Sequence, residues 1–366
     1  MYKLHVVQAE FGDCLLLQHG AADSPHFILI DGGPETTYDR HLRATLESLP
    51  NRMLDLVVLS HVDTDHIIGI LDLIADLRNQ RANGSPETVT IGQMWHNSFG
   101  ATIDPNGSLA PRAISALAPR AANLAVAGAA ILGIAEGHRL RVGAAALGVC
   151  LNPNFTDGLV SVDTAPEEPP SFDTLELMVA GPTEETLDQL RIEWEEWLDT
   201  HEDEVRSGDP VALANADQSI PNLSSIVLLA RADEKTILLT GDARSDHVLE
   251  GLGSAGLLDE GGRLHVDVLK APHHGSDRNI TKRFFKAVTA DTYVFSANGK
   301  DGNPDLATLI WLVEAARDQE RRIKIVATNK TPSLRKFQDE YPADEYGYAV
   351  EFMPVGADFM TVTLAE

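Results

Sequence analysis

The chain has 366 residues, of which 43% are hydrophobic and 23% charged, which suits a soluble globular protein with a proper core. Its 55 acidic and 29 basic side chains give a formal net charge of −26, and such a surface repels phosphate backbones and anionic membranes. This balance argues against broad non-specific DNA binding, although a local cleft charged by metal ions stays open.

The two cysteines, Cys14 and Cys150, form no CxxC pair and give no sign of a disulfide framework or a thiolate metal site. The N-terminus lacks the features of a signal peptide, and the most apolar later stretch is shorter than the ~20 residues that a membrane span needs. We therefore expect a soluble, cytoplasmic protein without a membrane partner.

The first hundred residues predict strands and helices in alternation. The stretches "KLHVVQ", "CLLLQHG" and "HFILIDGGP" are typical of strands, and a helical spacing of leucines follows up to Pro50. The continuous apolar run "LDLVVLS" predicts a strand buried on both faces, and a helical pattern begins at Ile67. The stretch "SHVDTDH" therefore lies on a strand-to-helix loop.

The middle of the chain, residues 101–220, has weaker patterns. An Ala-rich segment from Ile114 to Ala135 favours a helix, "HRLRVGAAALGVCL" and "TLELMVAGP" favour strands, and "EETLDQLRIEWEEWLDTHEDEV" favours an acidic helix. From residue 222 the alternation resumes with "LSSIVLLAR", "KTILLTGD", "LHVDVLKAPHHGS" and "DTYVFSANG". The chain thus reads as two αβ halves of similar layout.

Polar residues follow the strands of both halves. They are Asp31, His61, Asp63, Asp65, His66, Asp242, His273 and His274. Taken singly, "DGG" and "GD" are ordinary turns, and a histidine pair is an ordinary polar loop. Capping of a helix by Thr64 or Asp65 would explain one carboxylate of the 61–66 cluster, but not two flanking histidines. Imidazoles and carboxylates on such loops can converge on two cations about 3.5–4 Å apart.

The stretch "SHVDTDHIIG" resembles the HxHxDH signature of the metallo-β-lactamase superfamily, with Asp63 in place of the middle histidine. The motifs "LIDGG", "LTGD" and "HHGS" follow in the order of that superfamily, and "FGDCLLLQHG" and "NLSSIVLL" are similar to the soluble hydrolase domain of ComEC-type proteins. The resemblance implies an α/β fold, an αββα sandwich of two mixed sheets flanked by helices. Residues 1–366 would form one such domain, with a family-variable helical insertion at about 101–220.

The same resemblance implies the metal ligands. His61 and Asp63 would bind a first metal ion, Asp65, His66 and His274 a second, and Asp242 would bridge the two. Fuller sites of the family have a histidine where this chain has Asn222, so the first ion would be one ligand short. His96 could compensate, although we favour its interpretation as a histidine at a loop end.

Asp31 and His273 are expected to act around the ligands. Asp31 would orient the loop of a ligand, as carboxylates behind metal sites do. His273, the less favoured ligand of the pair, would bind the substrate anion or protonate the leaving group. Ser276 is next to the histidines but has no obvious partner that would act as base and orienter, so it is interpreted as a loop residue. Asp65 and His273 are the residues that we expect to be catalytic.

Two divalent cations are therefore expected as cofactors. Three carboxylates and a hydroxide would balance their charge, and a buried cluster far from neutrality would be costly. Zn²⁺ is the first expectation, and Mn²⁺ is the alternative because Asp63 makes the ligand set harder.

Hydrolysis by a metal-activated hydroxide is the chemistry that such a site performs. A small phosphodiester, such as a nucleotide or a nucleic-acid end, is the favoured substrate. Hydrolysis of a lactone, thioester or amide by the same metals is one alternative. A non-catalytic metal-binding sensor or interaction module is another, motivated by Asn222 and the acidic helix near 184–206.

Overall fold

Two mixed β-sheets pack face to face in the computed structural model, which describes residues 1–98, 102, 129–200 and 224–366. Helices cover the outer face of each sheet. The predicted α/β sandwich of two mixed sheets flanked by helices is thereby confirmed.

The first sheet has seven strands in the order β15-β1-β2-β3-β4-β5-β6. Their bounds are Tyr2–Val7 (β1), Leu15–Ala21 (β2), Ser24–Ile30 (β3), Met53–Leu59 (β4), Thr90–His96 (β5), Cys150–Leu151 (β6) and Phe359–Ala365 (β15). The strands from β15 to β3 pair antiparallel, and those from β3 to β6 pair parallel. The parallel strands β3 and β4 therefore end side by side, at the loops that carry Asp31 and His61.

The second sheet has eight strands in the order β14-β13-β12-β11-β10-β9-β8-β7. Their bounds are Ser171–Phe172 (β7), Leu175–Gly181 (β8), Val227–Ala232 (β9), Lys235–Leu239 (β10), Leu264–Lys270 (β11), Val288–Phe295 (β12), Ile323–Ala327 (β13) and Tyr348–Phe352 (β14). Strands β10 to β14 pair parallel. The loops after β10 and β11, which carry Asp242 and His274, are therefore neighbours.

The described α-helices connect these strands. They are Arg43–Glu47 (α1), Thr64–Asn83 (α2), Ala129–Leu147 (α3), Glu184–Thr200 (α4), Ser245–Ser254 (α5), Lys282–Ala287 (α6), Leu306–Asp318 (α7), Pro332–Glu340 (α8) and Ala343–Tyr346 (α9). Among these helices, none combines the length and the apolar character that crossing a bilayer requires.

Three apolar cores hold the layers together. The central core lies between the sheets and includes Leu17, Ile28 and Val58. A second core joins the first sheet to α2 and α3, and a third joins the second sheet to α5, α6, α7 and α8. Along β4, Leu56 and Val58 face the central core while Val57 and Leu59 face the helices. This alternation explains the continuous apolar run in the sequence.

One predicted strand is wrong. Residues 138–147, within "HRLRVGAAALGVCL", form the end of helix α3, and only Cys150–Leu151 is a strand. Leu140, Ala144 and Leu147 are buried at helical spacing in the core shared with α2, so tertiary packing overrides the short alternating pattern. The predicted helix from Ile114 to Ala135 lies mostly outside the described residues.

Candidate metal centre

The first group of polar residues lies where β4 leads into α2. Helix α2 begins at Thr64, and Asp63 occupies the N-cap position, but its side chain makes no capping hydrogen bond. The Asp63 Oδ1 atom is buried and has no hydrogen-bond partner. Capping therefore does not account for Asp63. Its other carboxylate oxygen, Oδ2, lies 3.5 Å from His61 Nε2.

The second group comes from the loops after β10 and β11. Asp242 follows β10, and His273 and His274 lie in a short turn, Pro272–Gly275, directly after β11. Both histidines have positive φ, at 45° and 54°, a conformation that is uncommon for residues other than glycine. Surrounding structure must hold this strain, and such strain is concentrated at functional sites.

Backbone contacts bring the two groups together across the sandwich. The Ile226 amide, directly before β9, donates to the Ser60 carbonyl oxygen at 2.9 Å, so the start of this strand of the second sheet contacts the His61 loop. A Cβ atom on Gly241 would lie 2.9 Å from Ser60 Cβ, so only glycine fits between Thr240 and Asp242.

Asp242 lies at the centre of the cluster. Its Oδ1 is 3.3 Å from His66 Nε2, and its Oδ2 is 3.4 Å from His274 Nε2 and 3.9 Å from His61 Nε2. The carboxylate is 2% exposed. Asp242 therefore contacts the histidines of both predicted half-sites.

The remaining predicted ligands extend the cluster on either side of Asp242. Asp63 Oδ2 is 3.5 Å from His61 Nε2. Asp65 Oδ2 is 3.4 Å from His274 Nε2 and 3.9 Å from His66 Nε2. The structure thus places the residues of the two predicted half-sites in two adjoining groups, with Asp242 between them.

Each of the three buried imidazoles is held from behind through Nδ1. His66 Nδ1 lies 2.8 Å from Asp31 Oδ2, His274 Nδ1 lies 2.9 Å from the Ser296 carbonyl oxygen, and His61 Nδ1 lies 3.0 Å from Ser60 Oγ. Such partners fix the ring and leave Nε2 to act as the ligand atom, as is usual for histidines at metal sites.

Asp31 organises this side of the cluster. Besides contacting His66, it accepts hydrogen bonds at 2.7 Å from the amide and from the hydroxyl of Ser60. Its geometry is that of the orienting carboxylate that the sequence analysis expected. It reaches His66 directly and His61 through Ser60.

Several buried ligand atoms of the cluster lack hydrogen-bond partners. They are Asp13 Oδ1, His61 Nε2, Asp63 Oδ1, His66 Nε2, Asp242 Oδ1 and His274 Nε2. Leaving so many buried polar atoms unsatisfied is costly, and bound cations would satisfy them together. Nitrogen and carboxylate donors suit Zn²⁺ and, with several carboxylates, Mn²⁺. The residues present therefore fit a divalent metal ion.

The electrostatics of the cluster also favour positive charge at its centre. Burial alone would lower the pKa of His66 and His274. The carboxylates around them, Asp242 first and then Asp31 and Asp65 for His66 and Asp13 for His274, together outweigh burial and raise both pKa values well above the usual range. Burial would raise the pKa of Asp242, but the same imidazoles hold it well below the usual range. Divalent cations can replace these protons.

Asp13 is a member of the cluster that sequence reasoning missed. Ligand atoms of Asp13, His66, Asp242 and His274 all lie within 4.8 Å of one another. Asp13 Oδ1 is 3.4 Å from His274 Nδ1, and its other oxygen forms a buried ion pair with Lys270. The motif "FGDC" was visible in the sequence, but nothing in it indicated that this turn reaches "HHGS".

His273 lies at the rim of the cluster. Its side chain is 23% exposed, and its Nδ1 is 3.8 Å from Asp242 Oδ2. His274 is 4% exposed and contacts both Asp65 and Asp242, so its position suits a ligand better than that of His273. Burial lowers the pKa of His273, and Asp242 only partly opposes this.

The other predicted residues lie outside the central cluster. His96 is 3% exposed, and neither ring nitrogen has a hydrogen-bond partner. Ser276 is buried beside the histidine turn, where its amide donates to the His273 carbonyl oxygen. Asn222 lies outside the described residues.

Residues 9–104 of the chain match the model of the metallo-β-lactamase superfamily. This match covers the loops of Asp13, Asp31 and the 61–66 cluster. No curated protein matches the chain significantly. The matched residues include Asp13 and His66, two members of the Asp/His group that could hold a metal ion.

Two solved structures show low similarity to this chain in sequence and in fold superposition. One is described as a new diphosphatase from the PhnP family, with 10% identity, a TM-score of 0.41 and coverage of 100% of this chain and 98% of that chain. The other, from Parabacteroides distasonis ATCC 8503, is named as a metal-dependent hydrolase, with 10% identity, a TM-score of 0.35 and coverage of 88% and 93%. Likenesses this distant add nothing about the substrate.

Proposed function

We propose that this chain is a two-metal hydrolase that cleaves a small phosphodiester. The observation that carries the proposal is the position of Asp242, within 3.3–3.9 Å of the unpartnered Nε2 atoms of His61, His66 and His274. A carboxylate that lies between two groups of ligands can be shared by a pair of cations about 3.5–4 Å apart. Zn²⁺ is the favoured metal, and Mn²⁺ is the alternative.

The proposed ligands are His61 and Asp63 for one ion and Asp65, His66 and His274 for the other, with Asp242 shared. Divalent cations at such a site lower the pKa of water and stabilise charge that develops on a phosphoryl group. The buried imidazoles are held in the orientation that a metal ligand needs, because their Nδ1 contacts prevent rotation of the rings.

The position of His273 suits contact with a bound substrate. It is the histidine of the cluster with the most exposed side chain, and it lies beside Asp242 rather than inside the ligand set. From the rim it can donate a proton to an anionic oxygen or to a leaving group. Asp65, whose Oδ2 lies 3.4 Å from His274 Nε2, would position the attacking water.

A metal count followed by a substrate panel tests the proposal. The purified chain is stripped of metal, dialysed against Zn²⁺ or Mn²⁺ and assayed with bis-p-nitrophenyl phosphate, a lactone and a thioester. We expect two ions per chain and turnover of the phosphodiester. Asp65→Ala and Asp242→Ala should lower turnover at least about 100-fold, since loss of groups behind the ligands alone costs 10–100-fold.

Asp246→Asn is the matched control. This aspartate follows Asp242 by four positions, is 58% exposed and pairs with Arg244 at 2.7 Å, so activity should not change. Turnover of the lactone or thioester alone would replace the phosphodiester as substrate class. Tight metal binding without turnover of any of the three would contradict catalysis and favour a metal-binding module.

A further inference from the structure

The turn between β1 and β2 packs against the first turn of helix α2. The Asp13 amide donates to the Asp65 carbonyl oxygen at 3.2 Å. A Cβ atom on Gly12 would lie 2.0 Å from the same carbonyl oxygen and 2.8 Å from Pro34 Cδ, so only glycine fits there. The turn therefore contacts the main chain of a proposed ligand, Asp65, and its position limits the position of that ligand.

The same turn also contacts the second β-sheet. Ser296, directly after β12, donates a hydrogen bond from Oγ to the Gly12 carbonyl oxygen at 2.6 Å. The side chain of Asp13, which is 1% exposed, forms a close ion pair with Lys270, the equally buried last residue of β11. Gly12 and Asp13 thus connect the two layers of the sandwich beside the candidate metal centre.

The carboxylate of Asp13 lies behind the imidazole of His274. Its Oδ1 is 3.4 Å from His274 Nδ1, and the Ser296 carbonyl oxygen lies 2.9 Å from the same nitrogen. The other ring nitrogen, Nε2, lies 3.4 Å from Asp65 Oδ2 and 3.4 Å from Asp242 Oδ2. Nε2 is therefore the proposed ligand atom, and Asp13 contacts the nitrogen behind it. A carboxylate in this position orients the ring and makes its free nitrogen a better donor to a metal ion.

A direct role as metal ligand is the competing interpretation of Asp13. Its carboxylate and the side chains of His66, Asp242 and His274 offer atoms within 4.8 Å of one another, and its Oδ1 has no hydrogen-bond partner. Two observations argue against this role. The ammonium group of Lys270 already pairs with the carboxylate and would repel a metal ion bound to it. The contact with His274 is also to Nδ1 rather than to Nε2.

We propose that Asp13 is a positioning residue, which holds Asp65 and His274 at the spacing that a shared metal ion requires. The inference rests on the proposed function, since it concerns the alignment of ligands in the same two-metal centre. The amide of Asp13 fixes the main chain of Asp65, and its carboxylate fixes the ring of His274. Lys270 offsets the negative charge that this carboxylate would otherwise add to the centre.

A double variant separates positioning from fold stability. Asp13→Leu combined with Lys270→Met removes both buried charges together, so the fold should keep most of the stability that breaking the pair would cost. The affinity for Zn²⁺ or Mn²⁺ should nevertheless fall at least about tenfold, the effect of losing a group behind a metal ligand. Competition with a chromogenic chelator measures the affinity, and thermal unfolding without metal measures the stability.

Lys270→Met alone is the complementary variant. It keeps Asp13 behind His274 but leaves that carboxylate unpaired, so the melting temperature should fall further than in the double variant. Its metal affinity should fall less than that of the double variant, because the positioning carboxylate is still present. A purely structural role predicts instead that metal affinity follows melting temperature in all variants. That result, or equal affinities of the wild type and the double variant, would overturn the inference.

Elemental analysis at saturating metal distinguishes a positioning residue from a ligand. The double variant should bind as many ions as the wild type, and loss of an ion would overturn the inference because Asp13 would then be a ligand itself. The matched control is Lys235→Met with Asp267→Asn, a pair at 2.6 Å in which Lys235 is 43% exposed. It should change neither the metal count nor the affinity. Absence of any bound ion in the wild type would instead overturn the proposed function.

Discussion

Lys270 is a cation buried without access to solvent, directly behind the candidate ligands. It is 1% exposed and pairs with Asp13, which is equally buried. Its Nζ also donates to the Gly241 carbonyl oxygen at 3.4 Å, next to Asp242. Burial would raise the pKa of Asp13, but Lys270 and His274 outweigh this and hold the pKa well below its usual range. The pair thus keeps a negative charge beside His274 without adding net charge to the cluster.

Removing Lys270 should destabilise the fold strongly. We expect Lys270→Met to lower the free energy of unfolding by about 3–5 kcal/mol, because Asp13 is left as a buried unpaired charge. Urea denaturation at neutral pH measures the loss, and the double variant with Asp13→Leu should recover most of it. The control is Lys235→Met: Lys235 is 43% exposed, pairs with Asp267 and should cost no more than about 1 kcal/mol. Equal losses in both single variants would contradict this account.

His19 couples stability to pH at the opposite end of the first sheet. It is fully buried, and neither ring nitrogen has a hydrogen-bond partner. Burial, assisted by His26, lowers its pKa to about 4. The unfolded chain takes up a proton near pH 6.5, but the folded chain does not until the pH falls to about 4.

Stability should therefore decrease as the pH falls from about 6.5 towards 4, with His19 contributing up to about 3 kcal/mol to the loss. Denaturation curves at several pH values, recorded without metal, measure this dependence, and His19→Leu should flatten it. His265→Gln, at a histidine that is 56% exposed, should leave it unchanged. The same slope in His19→Leu and the wild type would refute the assignment.

Some residues of the candidate site could be identified from the sequence, and others could not. Asp31, His61, Asp242 and His274 could be singled out because their motifs, ordinary when taken one at a time, together resemble those of a known superfamily. Asp13 could not, because an ordinary turn gives no indication of the loop that it contacts. Its position depends on the tertiary packing of segments far apart in the chain.

At the scale of elements, a contact between glycines positions helix α2. A Cβ atom on Gly69 would lie 1.9 Å from the Gly32 carbonyl oxygen, so only glycine allows the helix to approach the loop after β3. The Gly32 amide donates to the His66 carbonyl oxygen at 2.8 Å. The glycines of "DGG" therefore serve two different needs: Gly32 allows the close approach, and Gly33, at φ 74°, allows the turn.

We expect Gly69→Ala to displace the first turn of α2, which carries Asp65 and His66. The free energy of unfolding should fall by about 1–3 kcal/mol from overpacking, and metal affinity should fall at least about tenfold. Calorimetry and metal titration measure the two effects. The control Gly253→Ala lies on the exposed face of α5, with Leu258 at 3.8 Å as its nearest contact, and should be neutral or stabilising. Unchanged metal affinity in Gly69→Ala would show that α2 tolerates the shift.

The described elements also show which patterns predict structure reliably. Strands β3 and β4 are buried on both faces, and their continuous apolar runs indicated this directly. The end of α3 was misread as a strand because Arg139 and Arg141 alternate with apolar residues, while the Leu140–Leu147 face that packs on α2 was overlooked. A short alternating pattern cannot distinguish these cases.

At the scale of the whole molecule, the net charge of −26 opposes an anionic substrate. The Debye length falls from about 30 Å at 0.01 M salt to about 8 Å at 0.15 M. We therefore expect kcat/KM for bis-p-nitrophenyl phosphate to rise several-fold over this range, as salt screens the repulsion. Steady-state kinetics at increasing NaCl measures the effect, and sucrose at matched osmolarity is the control. A decrease with salt would mean that the charge of the metal centre steers the substrate despite the acidic surface.

The contact between Ile226 and Ser60 joins the two β-sheets beside the candidate ligands. Neither sheet carries all of these ligands, so the geometry of the site depends on how the two sheets are aligned. Sliding one layer along the other by about one bond length would pull Asp242 away from His61 and His66, while leaving each layer internally intact. Tight metal affinity thus depends on how well the central apolar core resists shear. Softening that core, far from any ligand, should speed the escape of metal before it unfolds the chain.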